Sequence, residues 1–221
     1  MSSRPALLVV GAGPTGLTLA LQAHDHGMRV RIIDRRIDEF RPSRALLLHA
    51  RTLEVLHPLG VVDAILSRAN TAPTVILHSS NRAAAISLGD FALADTPYPY
   101  VTLARQADIE HVLAVALADR GISVERGTEL VALDATSQRP RVTVRGRNGV
   151  EEDEYVWVAG CDGATSTVRR LAGIGWSGSA YRHDILLADV ELSGSVRPDV
   201  LHVGLGRRGL CLVFPCGESA S

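Results

Sequence analysis

The sequence of 221 residues contains no lysine, and all 23 of its basic side chains are arginine. Set against 24 aspartates and glutamates they leave a net charge of -1, with the arginines scattered along the chain. That balance excludes a basic stripe of the kind that neutralises nucleic-acid phosphates or holds a protein to anionic lipid, so neither a nucleic-acid nor a membrane partner is expected. The all-arginine usage reads as the codon bias of a GC-rich genome. Cysteine is scarce as well: Cys161, Cys211 and Cys216 are odd in number and form no CxxC pair, which excludes a disulfide framework and a zinc site and fits a reducing cytoplasm. Long apolar runs are missing. The stretch 6–10 follows a single positive charge and is too short for a signal segment or a membrane span. No nucleophile, triad or metal cluster emerges, because His49, His57, His78 and His111 are scattered where packing or surface roles suffice, so no catalytic side chain and no metal ligand is assigned.

What is present is enough apolar content, 46%, to bury a substantial core. The chain opens with the apolar run 6–10, then Gly11, Pro14 at a helix start, and Leu17, Ala20, Leu21 and His24 at helical spacing up to Gly27. A second buried-type strand at 29–34 completes a βαβ unit. Segments 47–56 and 62–66 read as helices, and 74–79 and 84–88 as strands. A helix over 106–120 places Ile109, Val112, Leu113, Ala116 and Leu117 on one face and ends at Gly121. A short strand at 122–125 precedes three runs at 130–135, 141–145 and 154–159, with a hairpin signal at Asn148-Gly149, and these predict a three-stranded antiparallel meander. Its last strand, apolar over 155–158, reads as buried on both faces, and a short helix follows near 165–172. Strands at 185–192, 201–205 and 209–214, the last two joined by a tight turn at 206–208, would make a separate sheet.

The residues that carry chemistry begin with Gly11-Ala12-Gly13-Pro14-Thr15-Gly16, a GxGxxG where a strand meets a helix, followed by Asp34 eighteen positions after Gly16. Gly11 permits the turn, Gly13 lets the backbone approach a pyrophosphate, and Gly16 lets helix and strand pack closely. The helix N-terminus, with Pro14 and Thr15, offers free N–H groups to phosphate, and Asp34 accepts from ribose hydroxyls. The motif alone does not separate FAD from NAD, since both present the same ADP half.

Three further stretches do. Asp34-Arg35 with Arg44-Ala45 and His49-Ala50-Arg51-Thr52-Leu53-Glu54-Val55-Leu56, then Gln106-Ala107-Asp108-Ile109-Glu110, then Gly160-Cys161-Asp162-Gly163-Ala164-Thr165-Ser166-Thr167-Val168-Arg169 together resemble the front part of flavin-dependent aromatic hydroxylases of the para-hydroxybenzoate and phenol hydroxylase type. The resemblance runs to about Gly175. It implies that Arg44 lies near the flavin and its pyrophosphate, that Gln106 contacts the ribityl and phosphate region, and that Asp162 belongs to an Asp-Gly fingerprint associated with FAD and the pyridine nucleotide. By themselves Arg44 reads as a solvated loop arginine, Gln106 as a polar residue opening a helix, and Asp162 as a helix-capping or turn carboxylate.

The implied fold is a Rossmann-like α/β FAD-binding domain with a β-meander, over 1–70 and 98–175. It is interleaved with an incomplete, mainly β substrate domain over 71–97 and 176–221. The implied activity is NAD(P)H- and O2-dependent hydroxylation of an aromatic or polyketide-like small molecule, with FAD as cofactor. The alternatives are another reaction on the same fold, such as halogenation, epoxidation or reduction, and a truncated, non-catalytic nucleotide-binding fragment. The family's downstream Gly-Asp motif has no match, since Gly89-Asp90 stands in other surroundings, and the chain reads as a fragment of a longer protein. From that reading self-association through exposed apolar surface and isolation without FAD are expected.

Overall fold

The computed structural model describes residues 5–38, 47–71, 73–79, 82–89, 91, 93–179, 185–188, 190, 200–206 and 209–214. In chain order the first elements are β1 (Leu7–Val10), α1 (Pro14–Asp25), β2 (Val30–Asp34), β3 (Leu47–Leu48), α2 (Ala50–Leu56) and α3 (Val62–Leu66). Then come β4 (Asn70–Thr71), β5 (Thr74–Ser79), β6 (Arg82–Ser87), β7 (Thr102–Leu103) and α4 (Gln106–Asp119). The remainder is β8 (Val124–Arg126), β9 (Glu129–Asp134), β10 (Arg141–Gly146), β11 (Gly149–Glu154), β12 (Trp157–Gly160), α5 (Thr167–Leu171), β13 (Val200–Gly206) and β14 (Gly209–Val213). Among the described residues no helix is long and apolar enough to cross a membrane.

The chain forms two compact units, Met1–Pro42 with Ile109–Asp184, and Ser43–Asp108 with Ile185–Ser221. In the first, four strands make a parallel sheet in the order β12-β1-β2-β8. All four residues of β1 are buried, as a central strand covered on both faces requires. Pro14 occupies the first turn of α1, where its missing N–H costs nothing, and Leu17, Ala20 and Leu21 turn a fully buried stripe to the core. A three-stranded antiparallel meander, β9-β10-β11, adjoins this sheet in the same unit. Leu8, Val10, Ile33, Leu130, Val142, Val144, Tyr155 and Val168 pack into one cluster.

The meander differs from the sequence expectation in its third strand. That strand is Gly149–Glu154, acidic and largely exposed, while the apolar run after it leaves the hairpin and pairs in parallel with β1, Leu7 opposite Trp157. Nor is β12 covered on both faces, since Trp157 is 62% exposed and only Tyr155 sinks fully into the core. The hairpin signalled at Asn148-Gly149 forms one residue earlier, with Arg147-Asn148 in the turn and Gly149, at φ 110°, opening β11.

One guanidinium ties three of these strands together. Arg31 of β2 donates from Nε and Nη2 to the Glu125 carboxylate at 2.8 and 2.7 Å and from Nη1 to the Tyr155 hydroxyl at 3.0 Å, and it also meets Glu151 of β11. Its side chain is 16% exposed against 42% and 55% for the two glutamates. Arg31→Met takes the guanidinium from a buried phenol and unpairs two carboxylates that water still reaches, so chemical denaturation should show a loss of about 1–3 kcal/mol. Glu151→Gln, at the exposed end of the network, should cost less than about 1 kcal/mol.

Asp25, the last residue of α1, receives Nε and Nη2 of Arg120 at 2.7 and 2.9 Å. Those hydrogen bonds hold its carboxyl below the ordinary aspartate value. A depressed carboxylate contributes stability that is present above the unfolded value near 4 and is lost as pH falls through the folded value. Arg120→Met should therefore cost about 0.5–1 kcal/mol at pH 7, with both side chains partly in solvent. Denaturant titrations of wild type and variant should converge below about pH 4.

The second unit holds a four-stranded sheet in the order β14-β13-β5-β6, with β13 parallel to β5. The strands near the end of the chain thus join the hairpin of 74–79 and 82–87 in one sheet instead of making their own. Residues 185–188 and 190 are not in a strand; the rest of the expected strand 185–192, and residues 207 and 208 of the turn expected between 201–205 and 209–214, lie outside the described residues. A small sheet, β3-β7-β4, sets Leu47 and Asn70 on either side of Leu103. This pairing explains two departures. It draws Leu47–Leu48 out of the expected helix, which begins only at Ala50 after an extended His49, and it groups residues 43–70 and 98–108 with 71–97 and not with the βαβ unit.

Candidate functional site

At the carboxyl ends of β1, β2 and β12 the first unit opens a groove of about 310 Å³, at the small end of the range for ligand pockets. Its floor is the glycine turn. Gly11 donates to the Ile33 carbonyl at 2.8 Å and holds φ 103°, and a Cβ there would lie 2.4 Å from the Cys161 carbonyl oxygen. Both conditions exclude any other residue. Gly16 has a different task, because a Cβ on it would sit 1.9 Å from the Gly11 carbonyl oxygen and 3.2 Å from Cys161 Cβ. It brings α1 against the strands from below and does not line the groove, unlike Gly11, Gly13, Pro14 and Thr15. Gly13 precedes α1 in an extended conformation, φ -77°, and no side chain caps the helix. The first-turn N–H groups of Thr15 and Gly16 are thereby left to an outside acceptor.

Asp34 ends β2 and is 5% exposed. Its Oδ2 accepts from the Ala12 N–H at 2.8 Å and its Oδ1 from the Arg36 N–H at 2.9 Å, so the carboxylate faces the glycine turn. A carboxylate oxygen can accept more than one hydrogen bond. Arg35 lines the groove beside it. So do Thr128, Glu129 and Leu130, which the sequence reading missed. Thr128 donates its N–H to the Asp34 carbonyl at 3.0 Å, and Gly127, at φ 70°, donates to Arg36. The signal that locates them is positional: they follow β8, the next parallel strand, where such sheets hold ligands.

On the other side Cys161 donates its N–H to the Val10 carbonyl at 2.7 Å and lines the groove with Asp162, Gly163 and Thr167. Burial, followed by the charge of Asp162, pushes the Cys161 thiol up, which keeps it in the unreactive protonated form at neutral pH. Asp162 is already engaged. Its Oδ2 accepts from the Thr167 and Val168 N–H groups at 2.5 and 3.2 Å and its Oδ1 from Ser166 Oγ at 2.5 Å. The carboxylate therefore caps α5, which is the helix-capping alternative that the sequence left open. Of the other predicted contacts, Arg44 lies outside the described residues. Gln106 opens α4 in the second unit and is not among the groove's lining.

Residues 4–209 match the sequence profile of the FAD binding domain family. The 6-methylpretetramide 4-monooxygenase of Streptomyces rimosus is 33% identical over 211 residues, covering 96% of this chain and 38% of the relative. The rifampicin monooxygenase of Streptomyces venezuelae is 34% identical over 198 residues, covering 86% of this chain and again 38% of the relative. Among solved structures, p-nitrophenol 4-monooxygenase from Pseudomonas putida superposes with a TM-score of 0.74 at 27% identity, over 82% of this chain and 46% of that one. The chain thus spans under half the length of the proteins it matches.

Proposed function

Since the chain belongs to the FAD binding domain family, we propose that it is the cofactor-binding part of an FAD-dependent monooxygenase. The enzyme hydroxylates an aromatic or polyketide-like small molecule with NAD(P)H and O2. The observation that carries this reading is the convergence of the glycine turn, Asp34 and the 161–163 loop on one groove at the ends of parallel strands. The names of the relatives point to phenolic and polyketide-like compounds.

The groove fits the ADP half of FAD on its own geometry. Gly13 carries no side chain between the backbone and a pyrophosphate, the uncapped start of α1 faces the same place, and the Asp34 carboxylate stands at the ribose side. Gly11, Gly13, Pro14, Thr15, Asp34 and Arg35 would hold the cofactor, while Gly16 sets the helix close enough for them to do so. Arg44, Gln106 and Asp162 are proposed to serve the flavin side, with Asp162 acting through the loop that it caps. When bound, the flavin supplies hydride acceptance and oxygen activation, and the protein orients it and excludes water.

Free Cys161 and Cys211 fit a cytoplasmic setting. Leu205, Leu210 and Leu212, each at least 45% exposed, share one face of the second unit's sheet and support self-association.

The test is oxidation of NAD(P)H by the purified intact protein, with and without a phenolic compound. Stimulated oxidation together with an oxygen atom from O2 in the product is expected. Oxidation without oxygen transfer would reject the monooxygenase reading, and a colourless protein that takes up no added FAD would reject the flavin reading.

A further inference from the structure

Two histidines that stand 124 positions apart in the sequence meet on the four-stranded sheet of the second unit. His78 of β5 pairs with Gly204 and His202 of β13 pairs with Ile76, so the two are diagonal neighbours on one face. His78 Nε2 and His202 Nδ1 lie 2.9 Å apart, with ring centroids 5.2 Å apart and planes inclined by 26°. The rings therefore meet end to end and hold one proton between them. Neither ring is committed elsewhere among the described residues, and the far nitrogen of His202, Nε2, is buried without a partner. Beside them Gly204 keeps the face open, since the nearest neighbours of a Cβ there would be Cβ and the carbonyl oxygen of Cys211 at 3.7 Å.

With imidazole–metal bonds of about 2.0–2.1 Å, two nitrogens at right angles about one ion stand about 2.9 Å apart, whereas the tetrahedral angle of zinc sets them about 3.3 Å apart. The separation here is the former. Right angles are the preference of Cu2+ and Ni2+, which bind imidazole more tightly than the earlier ions of their row. We propose that His78 and His202 form a two-nitrogen site for a divalent ion of this tetragonal type, which clasps β5 to β13. A tilt of the exposed His78 ring aims both lone pairs at one point. The proton held between the rings moves to an outer ring nitrogen, so both imidazoles stay neutral and one N–H···N bond is exchanged for two metal–nitrogen bonds. Among the described residues no group of three or more His, Cys, Asp or Glu could hold an ion, so water completes the shell. The site is independent of the cofactor groove, which belongs to the other unit.

The test is calorimetric titration of the chain, free of any histidine tag, with Ni2+, which leaves the free thiols unoxidised. One ion per chain is expected. His78→Gln and His202→Gln should each weaken binding about tenfold or more, because either change reduces a chelate to a single ligand, and the double variant should lose little beyond that. Cys211→Ser, which replaces the donor across Gly204 on the same face, should bind as the wild type does. Saturating Ni2+ should raise the thermal transition of the wild type by several degrees and leave that of His78→Gln in place. Wild-type affinity in His78→Gln, or a loss of affinity in Cys211→Ser, overturns the proposal. So does an equal thermal shift in wild type and His78→Gln, or uptake of several ions of equal strength, which marks adventitious binding only. If His202→Gln does not fold, the change at exposed His78 decides alone.

Discussion

Replacing Gly16 by alanine is expected to prevent the first unit from folding. The added carbon would stand 1.9 Å from the Gly11 carbonyl oxygen and 3.2 Å from Cys161 Cβ. The first neighbour is backbone that also closes the turn and bonds to β2, so it has no rotamer to which it can retreat. Relief requires lifting α1 from β1, which opens the fully buried contacts of Leu17, Ala20 and Leu21. Overpacking of a well-packed interior costs about 1–3 kcal/mol where side chains can adjust, and here a backbone must move. A loss above about 4 kcal/mol, most of a domain's stability, is therefore expected. Circular dichroism of Gly16→Ala should show either no cooperative thermal transition or one lowered by tens of degrees. A transition within a few degrees of wild type would show that the helix does not need to lie this close.

Gly13→Val is expected to do the opposite, leaving the fold alone and removing the cofactor. Gly13 has an extended backbone, φ -77°, that any residue adopts, and it lies outside the helix on the groove side. The substitution should therefore shift the thermal transition by only a few degrees. On the proposed reading, however, a branched side chain would occupy the space of the pyrophosphate. It would separate the phosphates from the uncapped amides that follow. Losing two charge-assisted hydrogen bonds at roughly 1.5–3 kcal/mol each weakens binding by about two to four orders of magnitude. Titration with FAD, read by flavin fluorescence, should give saturable binding for the wild type and none in the accessible range for the variant. Equal affinities would remove the phosphate role from this turn while leaving the fold argument for Gly16 untouched.

The two glycines mark how far the sequence was legible. The βαβ unit could be read because a fully apolar strand, a glycine turn and an amphipathic helix are each specified within a few residues. The groove's second wall could not be read at Thr128–Leu130, since those residues carry no motif and become neighbours of Asp34 only when β8 joins the sheet. The same cause shifted the meander. The signal at Asn148-Gly149 located the hairpin to within one residue, its turn being Arg147-Asn148, but the partner of 157–160 was β1, far away in sequence, and local patterning has no access to that choice. Leu47–Leu48 went the same way, with a helical pattern overridden by a strand partner at Leu103. For Asp162 the fingerprint identified the loop, and the bland capping reading identified what the carboxylate does within it.

The pairing of β1 with β12 also has a consequence for biosynthesis. Leu7 and Trp157 are about 150 positions apart, and at ribosomal rates of about 5–20 residues per second β1 waits roughly 8–30 s for this neighbour. During that interval the unit of β1, α1 and β2 is made but has one flank of its central strand unpaired, with the fully apolar Leu7–Val10 able to meet other nascent chains. The glycine turn, which needs the Cys161 backbone packed against it, reaches its final shape no earlier than that. On the proposed reading, cofactor capture by the groove is consequently a late event in synthesis, and the first half of the chain stays open to misassociation until then.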